Sequence, residues 1–137
     1  MQSRRINLQR PLEDYIQYFE RLSPRSVRFL SKLVEPNIHF VDPFNDVHGT
    51  DAVENIFNKM FADVDDPKFR VLDYAWGRQT DTVYLRWIFS YSLGKNKGRE
   101  DIDGMSEVRF SDHGKVMHHV DYWDAGRNVY EKIPLVK

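Results

Sequence analysis

Apolar residues recur at helical spacing in three segments of the first half of the chain. The three stripes are Leu12, Tyr15, Ile16, Phe19 and Leu22; then Val27, Leu30 and Val34; then Val53, Ile56, Phe57, Met60, Phe61 and Val64. Ser23-Pro24 is an N-cap followed by proline, which predicts the start of the second helix, and Pro36 ends that helix. Thr50 is expected to cap the third. The pattern therefore predicts three helices.

From residue 67 onward the apolar pattern changes to a period of two, which is typical of strands. It predicts four long strands with turn residues between them, at 69–76, 82–93, 99–111 and 116–124. A short strand is also predicted at 38–42, between the second and third helices. The turn-rich loop that follows it, 45–49, has room for a brief return strand.

The two faces of the strand at 82–93 differ in character. One face carries only apolar residues and the other is mixed; the two sets are Val83, Leu85, Trp87, Phe89 and Tyr91, and Tyr84, Arg86, Ile88 and Ser90. The first face belongs in the core, and the second is apolar enough for an interface between two copies. Helices followed by consecutive hairpins indicate an α+β domain, with three N-terminal helices packed into a curved antiparallel sheet.

Composition narrows the class of protein. The 137 residues are the size of one domain, 1–137, and 20 basic against 21 acidic residues give a net charge of -1. Bulk charge therefore favours neither nucleic acid nor an anionic membrane as partner. The absence of cysteine excludes disulfides and thiolate chemistry. No apolar run approaches the roughly 20 residues of a membrane span, no signal core is apparent, and a cytoplasmic location is the default expectation.

Three local sequences carry a family resemblance: Phe40-Val41-Asp42-Pro43-Phe44 at the end of the short strand, Gly49 before the third helix, and Gly114-Lys115-Val116 leading into the last strand. With this order of elements the chain resembles the nuclear transport factor 2-like superfamily, which includes the SnoaL-like polyketide cyclases and ketosteroid isomerase. The resemblance covers residues 12–123. It implies a cone-shaped sheet wrapped around the helices, with a hydrophobic pocket.

The resemblance to ketosteroid isomerase implies roles for three residues. Asp42 matches the general base of that enzyme, and Tyr18 matches its oxyanion-hole tyrosine. Ser106 stands where that enzyme has an aspartic acid as second donor, which makes steroid isomerisation itself doubtful. Each of the first two residues also has a structural alternative: Asp42 can cap the loop that follows it, and Tyr18 can bond a backbone carbonyl.

The last strand holds a second acidic cluster. Strict alternation puts Met117, His119, Asp121 and Trp123 on one face. Asp121 looks like the inward acid of the SnoaL-like cyclases, and His119 is close enough to share a proton with it. The alternative is that the two only hydrogen-bond each other and stabilise the fold. Ser106 and four aromatic residues are expected to contact a ligand; the aromatic set is Phe40, Trp87, Phe89 and Trp123.

These residues predict an acid–base enzyme without a cofactor, of isomerase, cyclase or dehydratase type, acting on a small apolar molecule. Asp42 or Asp121 would be the base, His119 its partner and Tyr18 an electrophilic donor. No metal or nucleotide is expected, since neither an HExxH motif nor a Gly-rich phosphate loop occurs. Two alternatives stay open: a non-catalytic module that binds a hydrophobic ligand or forms a homodimer through the outer sheet face, and a protein-interaction adaptor.

Overall fold

The structure, a computed structural model, describes residues 2–128. Its helices are α1 (Gln2–Glu20), a 3₁₀ segment (Val27–Lys32), α2 (Thr50–Asp63) and the short α3 (Ala125–Asn128). Its strands are β1 (Val34–Asp42), β2 (Asn45–His48), β3 (Asp65–Trp76), β4 (Thr82–Ser92), β5 (Arg99–Phe110) and β6 (Val116–Tyr122). None of the helices within the described range is long and apolar enough to cross a membrane.

The strands form one curved, unclosed six-stranded sheet in the order β2-β1-β6-β5-β4-β3. All neighbours are antiparallel except β1 and β6, which run parallel. Between these two in the chain lie α2 and the four strands β2 to β5. The α+β class and the curved sheet that wraps the N-terminal helices are confirmed. The C-terminal segment, 130–137, lies outside the described residues.

The helices differ from the predicted ones at their ends. The helix predicted from Ser23 is only the 3₁₀ segment, and the strand that follows already begins at Val34. Pro36, expected to lie just beyond the helix, lies inside that strand. It falls where the pairing of β1 with β6 is irregular, between the Val34 and His39 positions, so its missing N–H costs no regular ladder bond. Gly49, rather than Thr50, occupies the N-cap of α2.

The core forms between α1 and the concave face of the sheet. On β4 the inward set is buried as predicted, from Val83 to Tyr91. Opposite it, Leu12 and Tyr15 of α1 are at most 1% exposed. The outer face of the sheet leaves several large apolar side chains exposed, namely Tyr84, Met105, Met117 and Tyr122. The association of two copies through this face stays a prediction.

Gly104 of β5 makes room for the largest side chain of β4. It is paired with Trp87, and a Cβ added at Gly104 would lie 2.4 Å from Cη2 of the indole ring. A glycine inside a strand often marks such a close approach. The missing side chain therefore lets the Trp87 ring lie flat across the neighbouring strand.

A bulge interrupts the alternation of β6. Phe110 pairs with Val116 and Arg109 pairs with His118, so Met117 is an extra residue on this strand. Val116 and His119 are both buried, whereas Met117 is 38% exposed. The expectation that Met117 shares the inward face with His119 is therefore wrong. From His119 onward the predicted alternation is followed.

Candidate active site

A cavity of about 410 Å³ opens between α2 and the concave face of the sheet. Its wall is mainly aromatic and aliphatic: Phe40, Phe44, Ile56, Phe57, Met60, Phe69, Trp87, Phe89, Ile102 and Trp123, with the polar side chains of Asp42, Asn45, Lys59 and Asp121. The four aromatic residues predicted to line a pocket, Phe40, Trp87, Phe89 and Trp123, are all in this wall.

Asp42 lies in the cavity wall at the end of β1. Its Oδ1 accepts hydrogen bonds from the backbone N–H groups of Phe44 and Asn45, both at 2.8 Å, and the Asn45 side-chain amide lies 3.1 Å from each carboxyl oxygen. Burial raises the pKa of Asp42, and the charge of Asp121 acts in the same direction against these donors. The residue thus caps its loop and faces the cavity at the same time.

Asp121 is the second carboxyl in the cavity wall. Ser106 Oγ donates to its Oδ1 at 2.5 Å, and His119 Nε2 lies 2.6 Å from the same oxygen. Ser106 in turn accepts a hydrogen bond from the indole N–H of Trp87, at 2.8 Å. Among the described residues nothing donates to Oδ2 of Asp121. One oxygen therefore anchors the carboxyl through both donors.

The hydrogen-bond directions at His119 follow from its neighbours. The Tyr15 hydroxyl lies 2.6 Å from Nδ1 of His119. Burial, and then the negative charge of Asp121, raise the pKa of Tyr15, so the phenol stays protonated. Its hydroxyl can therefore donate a hydrogen bond to Nδ1 of His119. The ring proton then resides on Nε2 and points at Asp121. His119 thus orients the carboxylate of Asp121 through Nε2, which is the arrangement of an acid–base pair.

Tyr18 does not reach the cavity. Its hydroxyl donates to the carbonyl oxygen of Val27 at 2.9 Å, the backbone contact that was the structural alternative for this residue. The expected electrophilic role is therefore not supported by its position. Tyr15, one helical turn earlier, is the α1 tyrosine that contacts the acidic cluster.

Ser106 also departs from its expected place. It is 2% exposed and does not line the large cavity, because it lies between Trp87 and Asp121. Its single hydroxyl hydrogen points at Asp121 and is not available to a ligand. The structure thus makes Ser106 a support for the carboxylate and not a substrate contact.

A family model of the SnoaL-like domain matches residues 15–119 of this chain. The chain belongs to the SnoaL-like family. The matched range covers α1 from Tyr15 and ends at His119, so it includes most of the cavity wall. No curated protein sequence matches the chain.

Solved structures share the fold of this SnoaL-like protein at low identity. An NTF2-like protein of unknown function from Exiguobacterium sp. 255-15 is 22% identical, with 83% of this chain and 98% of that chain covered and a TM-score of 0.71. A steroid delta-isomerase from Pseudomonas aeruginosa is 21% identical over 86% and 80%, with a TM-score of 0.63. The epoxide hydrolase/cyclase-like enzyme of salinomycin pyran ring formation is 14% identical over 88% and 92%, with a TM-score of 0.71.

One member of the acidic cluster in this SnoaL-like protein was not predicted as a site residue. Tyr15 was assigned only to the apolar stripe of α1, although it stands at the centre of that stripe between Leu12 and Phe19. A tyrosine at the centre of a buried stripe needs a polar partner for its hydroxyl. That requirement was the available signal, and His119 is the partner.

Proposed function

We propose that this SnoaL-like protein is an acid–base catalyst that moves a proton at a carbon beside a carbonyl group of a small apolar molecule. One observation carries the proposal: two carboxyl groups, Asp42 and Asp121, line the same largely apolar cavity. Their surroundings differ, since Asp121 is anchored by Ser106 and His119 and Asp42 by its own loop. Carboxyl groups in unequal surroundings are suited to separate acid and base roles.

Asp121 is the base in this proposal. Its carboxylate takes the proton from the carbon, the C–H electron pair forms a carbon–carbon double bond, and the carbonyl π pair moves to oxygen. His119 is a positioning residue, because it contacts Asp121 and donates its Nε2 proton to the anchored oxygen. Tyr15 acts one step further away and holds the tautomer of His119.

Asp42 is the acid in this proposal. A raised pKa keeps its proton to a higher pH than an ordinary aspartic acid does, so it can donate to an oxygen of the bound molecule. Proton return to a second carbon gives isomerisation, and protonation of a leaving hydroxyl gives loss of water. The proposal therefore covers isomerase, cyclase and dehydratase reactions, all of which begin with the same proton removal.

Deuterium incorporation tests the proposal without knowledge of the natural substrate. Cyclic and unsaturated ketones are incubated with the protein in D₂O, and loss of the α-proton signal is followed by NMR. We expect exchange above the buffer rate, and a loss of about 10²–10⁴-fold in Asp121→Asn. The matched control is Asp103→Asn, since Asp103 is an exposed carboxyl paired with Arg86 on the outer face.

The result would count against the proposal if Asp121→Asn exchanged ketones as fast as the unaltered protein. Equal losses in Asp121→Asn and Asp103→Asn would do the same, because they would point to altered folding or charge. Far-UV circular dichroism of each variant separates a folding defect from a lost base.

A binding module is the alternative function, and one observation favours it. Both carboxyl oxygens of Asp42 are within hydrogen-bond distance of its own loop, which is the geometry of a structural cap. In that case the ketones that bind would do so equally in Asp121→Asn and the unaltered protein, with no exchange in either. Ligand line broadening in the same NMR samples distinguishes this outcome from catalysis.

A further inference from the structure

Two histidines and an aspartate meet on the outer side of the sheet, away from the cavity. His39 Nε2 lies 2.6 Å from Asp46 Oδ1, and the rings of His39 and His48 stack with centroids 4.3 Å apart and planes 7° apart. One ligand atom from each of the three residues lies within 4.8 Å of the others. Nothing in the proposed catalytic chemistry uses this group.

The strand register explains why these residues meet. His39 of β1 is directly opposite His48 of β2, and Asp46 precedes His48 by two positions, so all three side chains share one face. Phe40, the next residue of β1, lines the cavity on the opposite face. The cluster is therefore separated from the candidate active site by the sheet itself.

We propose that His39, Asp46 and His48 bind one divalent transition-metal ion of the Zn²⁺ class. Two imidazole nitrogens and a carboxylate oxygen are a common ligand set for such ions. Metal–ligand bonds of about 2.0–2.2 Å in a tetrahedral arrangement place the ligand atoms about 3.4 Å apart. Asp46 and His48 are exposed, so small rotamer changes can bring the ligand atoms from their present spacing to that distance.

The coordination would be open on one side. Three protein ligands leave a fourth position for water or for another donor. His118 stands next to His39 on β6, with ring centroids 5.1 Å apart, but its Nε2 lies 3.8 Å from Glu107 Oε1. The three-residue set on β1 and β2 is thus the minimal site. A bound ion would join the edge strand β2 to β1.

Metal titration of the tag-free chain of 137 residues tests the site. Co²⁺ is added and its visible absorption is followed, and Zn²⁺ is then used to displace it. We expect saturation at one ion per chain with a Kd in the range of about 1–100 μM, and a loss of about 100-fold in affinity in His48→Gln. Asp46→Asn should weaken binding by at least about tenfold.

His113→Gln is the matched control. His113 is also exposed, in the turn before β6, and it pairs with Glu35 at 3.2 Å, away from the cluster. The His113→Gln variant should bind Co²⁺ with the same affinity as the unaltered chain. His48 is exposed, so its replacement leaves the core intact, and circular dichroism of both variants checks that they are folded.

Three results would overturn the inference. One is the lack of a Co²⁺ spectrum at millimolar metal; another is unchanged affinity in both His48→Gln and Asp46→Asn. The third is an equal loss in His113→Gln, which would indicate nonspecific binding to surface imidazoles. In each case the three residues would be no more than a surface ion pair with a stacked neighbour.

Discussion

Adjacent histidines of β6 have contrasting surroundings. His119 faces the interior, is 3% exposed, and contacts Tyr15 and Asp121 through its two ring nitrogens. His118 faces outward beside His39, and its nearest carboxylate, on Glu107, is 3.8 Å away. Two short hydrogen bonds therefore fix the direction of the His119 ring, whereas His118 has only a longer contact with a carboxylate.

The same contrast extends to the functions proposed for the two faces. A buried carboxylate with a fixed donor is suited to proton transfer, because its geometry is set before a ligand arrives. Exposed imidazoles are suited to an ion that can draw them into a new arrangement. The two faces of one pair of strands can thus carry different chemistry, with alternation of the side chains as the only separation between them.

Separate replacement of the two β6 histidines should give the largest difference in stability. His119→Ala removes a ring that packs on Phe19 and Phe40, takes away the hydrogen-bond partner of Tyr15, and leaves Asp121 with Ser106 as its donor. We expect the free energy of unfolding in urea to fall by about 3–5 kcal/mol. His118→Ala should cost less than about 1 kcal/mol. Equal losses would show that the interior position of His119 carries no special stability.

Substitution of Gly104, which lies on the inner face of the sheet, should have a smaller effect on stability. An alanine at Gly104 would place its Cβ 2.4–2.9 Å from three carbons of the Trp87 ring, so the ring must move. We expect a loss of about 1–3 kcal/mol in the free energy of unfolding and a shifted Trp fluorescence spectrum. Gly98→Ala is the control, since no atom lies within 4 Å of a Cβ added there, and should change stability by about 0.5 kcal/mol or less. An unmoved Trp spectrum in Gly104→Ala would contradict the close packing.

The pH dependence of stability should show the smallest effect, at Asp42. Because burial raises the pKa of Asp42 in the folded protein, the native state binds a proton more tightly than the unfolded chain does. The contribution of Asp42 to stability is therefore complete below the unfolded pKa of about 3.9 and is lost as the pH rises through the folded pKa. The difference in unfolding free energy between the unaltered protein and Asp42→Asn should fall over that interval and level off above it.

Urea titrations between about pH 4 and pH 7 measure this difference. Asp103→Asn again serves as the control, because Asp103 is an exposed carboxyl of the outer face. A difference that increases with pH would mean that the donors from Phe44 and Asn45 outweigh burial. Asp42 would then be a structural cap, and its role as an acid would lose its support.

The sequence predicted the fold well because alternation is a local property. The inward residues of β4 and the wall residues Phe40 and Trp123 follow directly from period-two patterns. The partnership of His119 with Asp121 was also within reach, since both lie on one strand two residues apart. The second helix was predicted too long because an N-cap and an apolar spacing do not reveal that β6 competes for the chain from Val34 onward.

The parts of the site that were not predicted all depend on contacts between distant segments. Tyr15 and Tyr18 both belong to α1, and only the docking of that helix decides which hydroxyl reaches His119. Ser106 was expected at a ligand because it stands where ketosteroid isomerase has its second donor. Its contacts with Trp87 and Asp121, which lie on other strands, could not be read from the sequence. A family resemblance gives positions along the chain, but it does not give the rotation of a helix.

The extra residue in β6 is a position where the chain requires neither a particular side chain nor a fixed length. Met117 is exposed, so many side chains are acceptable in its place. Its deletion would leave Val116 opposite Phe110 and His118 opposite Arg109, so the strand would alternate strictly and His119 and Asp121 would keep their inward direction. A one-codon deletion at this surface position would therefore keep the acidic cluster, whereas deletion of Val120 would turn Asp121 to the opposite face.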